Sequence, residues 1–328
     1  FVQGIIMLIG IIAVIASVIS GRGGFTEALT GLAKVESDVA TGVYSSFFGP
    51  DPLGLLWVVI LTSLGTWGLP QMVHKFYAIK DEQSIKTGTV VSTVFAIIVA
   101  RGSYFLGGFG RLFGDSSAPF LQTAADGTTS VAYDGIIPHI LSTSLSDILI
   151  GVVVVLVLSA SMSTLSSLVL TSSSTLTLDF LKDNFIKNMN AKKQMITIRV
   201  LVFFFVVLSV VIALDPPAFI AQLMGISWGA LAGAFLAPFL YGLYWKRVSK
   251  IAVWASFCTG VGITVLNMFF SFFDSPITAG AIAMLAGLVV VPLVSLVLPD
   301  KDRTRVNEIF TCYDETVVVK KKSQLSSK

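Results

Sequence analysis

The chain has 328 residues, of which 54% are hydrophobic and only 12% are charged, and its formal net charge at pH 7 is +3. A soluble domain carries about a quarter charged residues, and the apolar runs here are longer than the helices of a soluble core. The net charge is small and the basic residues form no patch, which excludes a nucleic-acid-binding surface. These values predict an all-α integral membrane protein whose surroundings are a lipid bilayer.

Eight apolar stretches can cross a bilayer as helices, which takes roughly 20 residues. In chain order these spans are A 1–20, B 53–73, C 86–109, D 147–177, E 195–214, F 218–243, G 250–272 and H 277–298. The only long connections are 21–52 and 112–146. The second contains a short amphipathic stretch, Ile136 to Leu145, which we expect to lie at the membrane surface.

The basic residues predict the orientation of the spans. Of the 22 lysines and arginines, 18 fall in the B–C, D–E and F–G connections and after Pro299, and three fall on the opposite side. Cytoplasmic loops carry the excess of Lys and Arg. The pattern predicts a transmembrane domain over 1–299 and a cytoplasmic tail over 300–328, in the plasma or inner membrane of the cell.

Span D combines a charge-free sequence with many hydroxyl side chains between Ser159 and Thr177. Most of these hydroxyls are expected to serve close helix packing, since small polar residues let membrane helices approach each other. The pair Ser163 and Thr164 has a second interpretation. Two hydroxyl oxygens, joined by backbone carbonyls freed where a membrane helix unwinds, suit a small hard cation such as Na⁺.

Span B carries a predicted helix break at Gly65, Gly68 and Pro70. Proline lacks an amide donor and disfavours helix before it, and interrupted membrane helices mark the binding sites of transporters. An ordinary proline kink is the alternative interpretation. The side chains that would border the break and bind solute are those of Ser63, Thr66 and Trp67.

Spans C and F contain further candidate residues. Arg101 is the one charge well inside a span; it either extends to the membrane surface or faces a cavity and binds an anionic group, with Ile97 one turn earlier on the same face. Gln222 is a candidate solute contact at the start of span F. The glycines at every fourth position in span F are expected to form a packing groove.

Three strings resemble the sodium:solute symporter family, nearest its proline-type bacterial members. They are Gly68-Leu-Pro-Gln-Met-Val-His-Lys-Phe-Tyr-Ala, Ser159-Ala-Ser-Met-Ser-Thr-Leu-Ser-Ser and Gly242-Leu-Tyr-Trp-Lys-Arg-Val-Ser-Lys. The resemblance implies a LeuT-like fold of two inverted five-helix repeats. Span A would be the last helix of the first repeat, spans B to F the second repeat, and G and H two extra helices. The earlier helices of the same protein would then be missing from this chain.

The resemblance also implies roles for individual residues. The family's sodium site carries over to the hydroxyls of Ser163 and Thr164 and the carbonyl of Ala160, with the remaining ligands on a helix that precedes this chain. Its solute-binding positions carry over to Ser63, Thr66 and Trp67. Sugar-transporting members have a lysine where this sequence has Ile97, which argues against a sugar.

The sequence therefore predicts a Na⁺-coupled symporter of a small organic solute, such as proline or a small carboxylate. Na⁺ is the expected coupling ion, and no organic cofactor is expected. A nucleophile motif, nucleotide-binding glycines and metal-ligand spacing are all missing from the sequence, so we do not expect an enzyme. Two alternatives stay open at this point: a symporter-like membrane sensor, and a transporter of the same fold that does not use sodium.

Overall fold

The computed structural model describes residues 2–76, 79, 81–114, 118–123, 129–186, 189–216, 218–300 and 303–313. Seven helices in this part of the chain are long and apolar enough to cross a membrane, and a shorter apolar segment, Pro52–Gly68, adds to them. In lipid a backbone must satisfy its hydrogen bonds internally, and helices do so residue by residue. The protein is a polytopic membrane helix bundle.

The α-helices follow one another with little other regular structure between them. In chain order they are α1 (Val2–Gly21), α2 (Phe25–Lys34), α3 (Pro52–Gly65), α4 (Pro70–Phe76), α5 (Glu82–Gly108), α6 (Ile136–Ser144), α7 (Asp147–Thr175), α8 (Ala191–Leu214), α9 (Ile220–Tyr244), α10 (Lys250–Phe270), α11 (Pro276–Val297) and α12 (Arg303–Phe310). A short antiparallel pair of strands, β1 (Leu121–Thr123) and β2 (Thr129–Val131), places Leu121 opposite Val131.

The predicted spans agree with these helices. The ends of spans A to H differ from the ends of α1, α3 with α4, α5 and α7 to α11 by at most four residues. The amphipathic stretch from Ile136 forms α6. Helix α2, the β1–β2 pair and a π-helix over Leu176–Lys182 were not predicted. In the predicted tail 300–328, residues 301, 302 and 314–328 lie outside the described residues.

The chain divides into two compact units. Unit 1 comprises residues 1–51 and 90–220, and unit 2 comprises residues 52–89 and 221–328. Helices α1, α2, α6, α7 and α8 belong to unit 1. Helices α3, α4, α10, α11 and α12 belong to unit 2, together with all of α9 after Ile220. Helix α5 begins in unit 2 and continues in unit 1 from Val90.

Unit 1 has its buried core where α1, α5 and α6 meet. The cluster consists of Val14, Val18, Leu106, Phe113, Ile140 and Leu145. Next to it, the guanidinium of Arg22 lies 3.9 Å from the centre of the Phe113 ring. A cation over an aromatic face is attracted by the electron-rich ring, so the charge at the end of α1 has a partner within the unit.

Unit 2 is held together by glycines of α9 that contact α10 and α11. A Cβ atom on Gly229 would lie 2.5 Å from the Cα of Gly280, and one on Gly260 would overlap the backbone of Gly233. The three backbones therefore touch where no side chain separates them, which is how membrane helices gain packing energy. The predicted packing groove of span F is confirmed. The hydroxyl of Ser256 adds a hydrogen bond to the carbonyl of Ala234 at 3.3 Å.

We predict that Gly260→Ala destabilises the protein, because the new methyl group would meet the backbone of α9. Overpacking of this kind costs about 1–3 kcal/mol. Thermal unfolding of the purified protein in detergent measures the effect. The matched control is Gly262→Ala in the same helix, where a Cβ meets nothing within 4 Å. Alanine there should raise stability slightly, since glycine in a helix costs about 1 kcal/mol relative to alanine. Equal melting temperatures for the two variants would contradict the prediction.

Candidate functional site

The predicted helix break occurs between α3 and α4. Helix α3 ends at Gly65, a 3₁₀ turn covers Thr66–Gly68, and Leu69 is extended with φ −82° and ψ 118° before α4 starts at Pro70. The residue before a proline is driven out of the helical region by a clash with the proline ring. Proline at the first position of α4 costs no hydrogen bond there. The sequence Gly68-Leu69-Pro70 thus ends one helix and begins the next.

One side of the break is buried against α9 of the same unit. A Cβ on Gly68 would lie 2.7 Å from the Cα of Ala232, and one on Gly65 would lie 3.1 Å from the Trp228 ring. Leu69 is only 1% exposed. The two glycines are therefore required by close approach to α9. This contact covers irregular backbone that bare lipid would not tolerate.

The other side of the break is open. Ser63 is exposed, Thr66 is partly exposed, and the indole of Trp67 is 60% exposed. The Thr66 hydroxyl donates to the carbonyl of Ser63 at 3.3 Å, which links the last turn of α3 to the 3₁₀ turn. Gln222 is partly buried in the first turn of α9. The structure thus gathers Ser63, Thr66 and Trp67 at one break and places Gln222 on a neighbouring helix of the same unit.

The predicted sodium ligands lie in the middle of α7. Ser163 and Thr164 are exposed, and Ala160 is partly buried one turn earlier. Other hydroxyls of this helix donate to carbonyls of the preceding turn: Ser166 to Met162 at 2.7 Å and Thr171 to Ser167 at 2.8 Å. Among the described residues, the hydroxyls of Ser163 and Thr164 make no such hydrogen bond. Both oxygens are therefore available to an external partner.

An open pocket of about 400 Å³ adjoins this part of α7, and its lining includes Ala160 and Thr164. A second pocket, of about 290 Å³, lies between α1, α5 and α7 and shares Ala160 and Ser161 with the first. Its walls are mostly apolar, for example Val14 and Leu156. Ala160 therefore borders two pockets whose linings are both mostly apolar, and Thr164 contributes to the more open one.

The two candidates on α5 lie on one exposed face. Ile97 is 45% exposed, and Arg101 is exposed one turn later. They belong to unit 1, whereas Ser63, Thr66, Trp67 and Gln222 belong to unit 2. Within each unit, the structure therefore presents a separate set of candidate residues.

Comparison with protein families shows to which family the chain belongs. The model of the sodium:solute symporter family matches residues 1–260 of the chain. The chain belongs to the sodium:solute symporter family. The family resemblance inferred from the three sequence strings is thereby confirmed.

Individual relatives agree with the family match. A sodium/pantothenate symporter of Haemophilus influenzae is 26% identical over 276 residues, which are 81% of this chain and 52% of that protein. A high-affinity proline transporter of Bacillus subtilis is 26% identical over 266 residues, 81% of this chain and 53% of its own length. A sodium/proline symporter of Escherichia coli is 24% identical over 272 residues, 81% of this chain and 51% of that protein.

The chain spans about half the length of the curated relatives that it matches. These relatives and the family are transporters and not enzymes. The family also implies Na⁺ as the coupling ion. The membrane-spanning helices fit this class, since a solute carrier needs a multi-pass bundle to enclose its cargo.

One feature of α7 was missed from the sequence. Its last turns widen into the π-helix Leu176–Lys182, and Ser173 and Thr177 are both fully buried just there. The Thr177 hydroxyl donates to the Ser173 carbonyl at 2.7 Å, but the Ser173 hydroxyl has no hydrogen-bond partner within the described residues. Ser173 looks like its many neighbours in a hydroxyl-rich sequence, so no local signal distinguished it.

We predict that Ser173→Ala leaves stability unchanged or raises it by up to about 1 kcal/mol, because it removes a buried hydroxyl that gains no hydrogen bond on folding. The matched control is Ser256→Ala, at a fully buried serine whose hydroxyl does have an acceptor. That variant should lose about 1 kcal/mol. Thermal unfolding of both purified variants is the measurement, and an equal loss in both would show that Ser173 has a partner.

Proposed function

We propose that this chain is part of a Na⁺-coupled symporter that moves a small organic solute by alternating access. The solute is an amino acid such as proline or another small carboxylate. The observation that carries the proposal is the hydroxyl pair of Ser163 and Thr164, in a member of a sodium-coupled family. Neither hydroxyl donates to the carbonyls of its own helix in the described part of the chain, although Ser166 and Thr171 do.

The sodium site that we propose consists of the Ser163 and Thr164 hydroxyl oxygens and the Ala160 carbonyl oxygen. Oxygen atoms are the ligands that hard cations select, and neutral oxygens bind a monovalent ion without leaving a carboxylate buried when the ion departs. Three oxygens from one helix do not surround an ion. We propose that the remaining ligands come from an unwound helix that precedes this chain in the full protein.

The solute contacts that we propose within unit 2 lie at the helix break and on α9. Ser63, Thr66 and Trp67 offer two hydroxyls and an aromatic face at the break between α3 and α4. Gln222 adds an amide from the first turn of α9. Within unit 1, we propose Ile97 of α5 as an apolar contact. A sugar needs many hydrogen bonds, and the isoleucine at position 97 supplies none, which argues against a sugar.

The architecture that we propose is the LeuT-like one. Helix α1 would end the first inverted repeat, α3 to α9 would form the second, and α10 and α11 would follow as extra helices. The segment from residue 300 would be a cytoplasmic tail, since most lysines and arginines lie on its side of the membrane. Such repeats hold the ion and solute sites at their interface and allow one repeat to move against the other.

We predict that Ser163→Ala combined with Thr164→Ala raises the Na⁺ concentration needed for half-maximal uptake by at least about tenfold. The reason is that each lost oxygen ligand weakens binding, and about 1.4 kcal/mol corresponds to a factor of ten. The variants are made in the complete natural open reading frame, expressed in bacteria that lack proline and pantothenate uptake. Uptake of labelled proline and labelled pantothenate is then measured across a series of Na⁺ concentrations.

The control for this experiment is Ser166→Ala with Thr171→Ala. These hydroxyls lie on the same helix but already donate to backbone carbonyls, so their loss should leave the Na⁺ dependence unchanged. Uptake by the unchanged protein that does not respond to Na⁺ would overturn the proposed function. An unaltered Na⁺ dependence in the Ser163 and Thr164 variant would overturn the proposed ion site alone.

A further inference from the structure

Arg101 lies deep within the membrane-spanning part of α5. The apolar helical segment runs from Gln83 to Phe113, and Arg101 precedes the end of α5 at Gly108 by about 10 Å at the α-helical rise of 1.5 Å per residue. An ionised side chain at such a depth costs several kcal/mol unless it meets a partner or water. The protein therefore has a reason to keep a charge at this position.

The packing of unit 1 determines which way Arg101 faces. The neighbouring residue, Gly102, lies against α1, where a Cβ would come within 2.7 Å of Ile15. Leu106 on the same side of α5 is buried in the core of unit 1. Arg101 is one residue from Gly102, about 100° around the helix, and shares its exposed face with Ile97 and Tyr104. The charge thus points away from the helices that pack on α5 in unit 1.

Arg101 differs from two other arginines of unit 1 in having no partner among the residues that the structure describes. Arg22 lies over the ring of Phe113 and Arg111 lies over the ring of Tyr44, each at 3.9 Å. Across the described residues, Arg101 makes no ion pair, hydrogen bond or ring contact. Its guanidinium still has five donors to place, so its partner is a group that this part of the chain does not provide.

The geometry of α5 does not favour extension of the Arg101 side chain to the membrane surface. Side chains of an α-helix tilt toward the N-terminal end of the helix. The surface nearer to Arg101 is at the C-terminal end of α5, beyond Gly108. The side chain therefore starts out in the direction of the membrane interior. This geometry is independent of which end of α5 faces the cytoplasm.

We propose that Arg101 binds the carboxylate of the transported solute. This inference rests on the proposed function and assigns one residue to the carboxylate group of its solute. The planar guanidinium matches a carboxylate with two parallel hydrogen bonds. Two solutes named for relatives of this chain, proline and pantothenate, differ in size and shape but share that group. One turn away, Ile97 provides an apolar surface beside the charge for the uncharged part of such a molecule.

The test compares each acid with its own amide. Cells expressing the complete natural open reading frame take up labelled proline or pantothenate with Na⁺, and unlabelled acid or the corresponding primary amide competes. In the unchanged protein the acid should compete at least about tenfold better than the amide, since a hydrogen bond to a charged group is worth about 1.5–3 kcal/mol. In Arg101→Gln this ratio should fall toward one, and Arg101→Lys should retain part of it.

The matched control is Arg111→Gln, an exposed arginine whose partner is the ring of Tyr44, and it should keep the full ratio. Each ratio is measured within one variant, so differences in expression cancel. If Arg101→Gln fails to reach the membrane, Arg101→Lys tests the inference instead, since its acid-to-amide ratio should also be reduced. An unchanged acid-to-amide ratio in the Arg101 variants that reach the membrane overturns the inference. Na⁺-driven uptake of a neutral solute and of neither acid also overturns it but leaves the proposed Na⁺-coupled symport standing, whereas the lack of any Na⁺-driven uptake removes both.

Discussion

In hydrocarbon, each backbone N–H and C=O must find its partner inside the protein, and the architecture of this chain follows from that constraint. Regular helix meets the constraint for most of the length. Between Gly65 and Pro70 the helix stops, and the backbone there is acceptable because Gly68 lies directly on Ala232 of α9. The small residues of α9 therefore do more than fill space. They provide the protein surface against which an interrupted helix can exist within the membrane.

Much of this fold could be predicted from the sequence, for a physical reason. A bilayer of fixed thickness demands apolar helices of fixed length, so the ends of α1 and α11 were predicted to within one residue. The break before Pro70 was predictable because the clash that causes it is local. Helix α2 and the β1–β2 pair lie in the two long connections, where no bilayer selects for helix length and tertiary contacts determine the structure. Phe109, for example, packs on Ala28 and Leu32 of α2, and such a contact across 75 or more residues leaves no local pattern.

The candidate site was predictable in part. Residue type and spacing identified Ser163 and Thr164 among many hydroxyls only with the help of the family resemblance, because a serine that coordinates an ion and a serine that packs look alike in sequence. Their hydrogen bonding in α7 distinguishes them from Ser166 and Thr171. Ser173 and the π-helix after it could not be foreseen, since the widening of a helix depends on side chains that meet it from elsewhere. The sequence shows that Arg101 is a charged residue inside an apolar span, but only the packing of Gly102 on α1 shows which way its side chain faces.

The direct backbone contacts of α9 with α10 and α11 have a mechanical consequence. Shear, in which packed helices slide past each other by small amounts, works through rotamer changes of interlocking side chains. At Gly229 with Gly280, and at Gly233 with Gly260, no side chain is present to change rotamer. These three helices therefore cannot slide past one another without a clash between their backbones. Any transport movement that involves them must carry them together, and the bending has to take place at hinges outside these contacts.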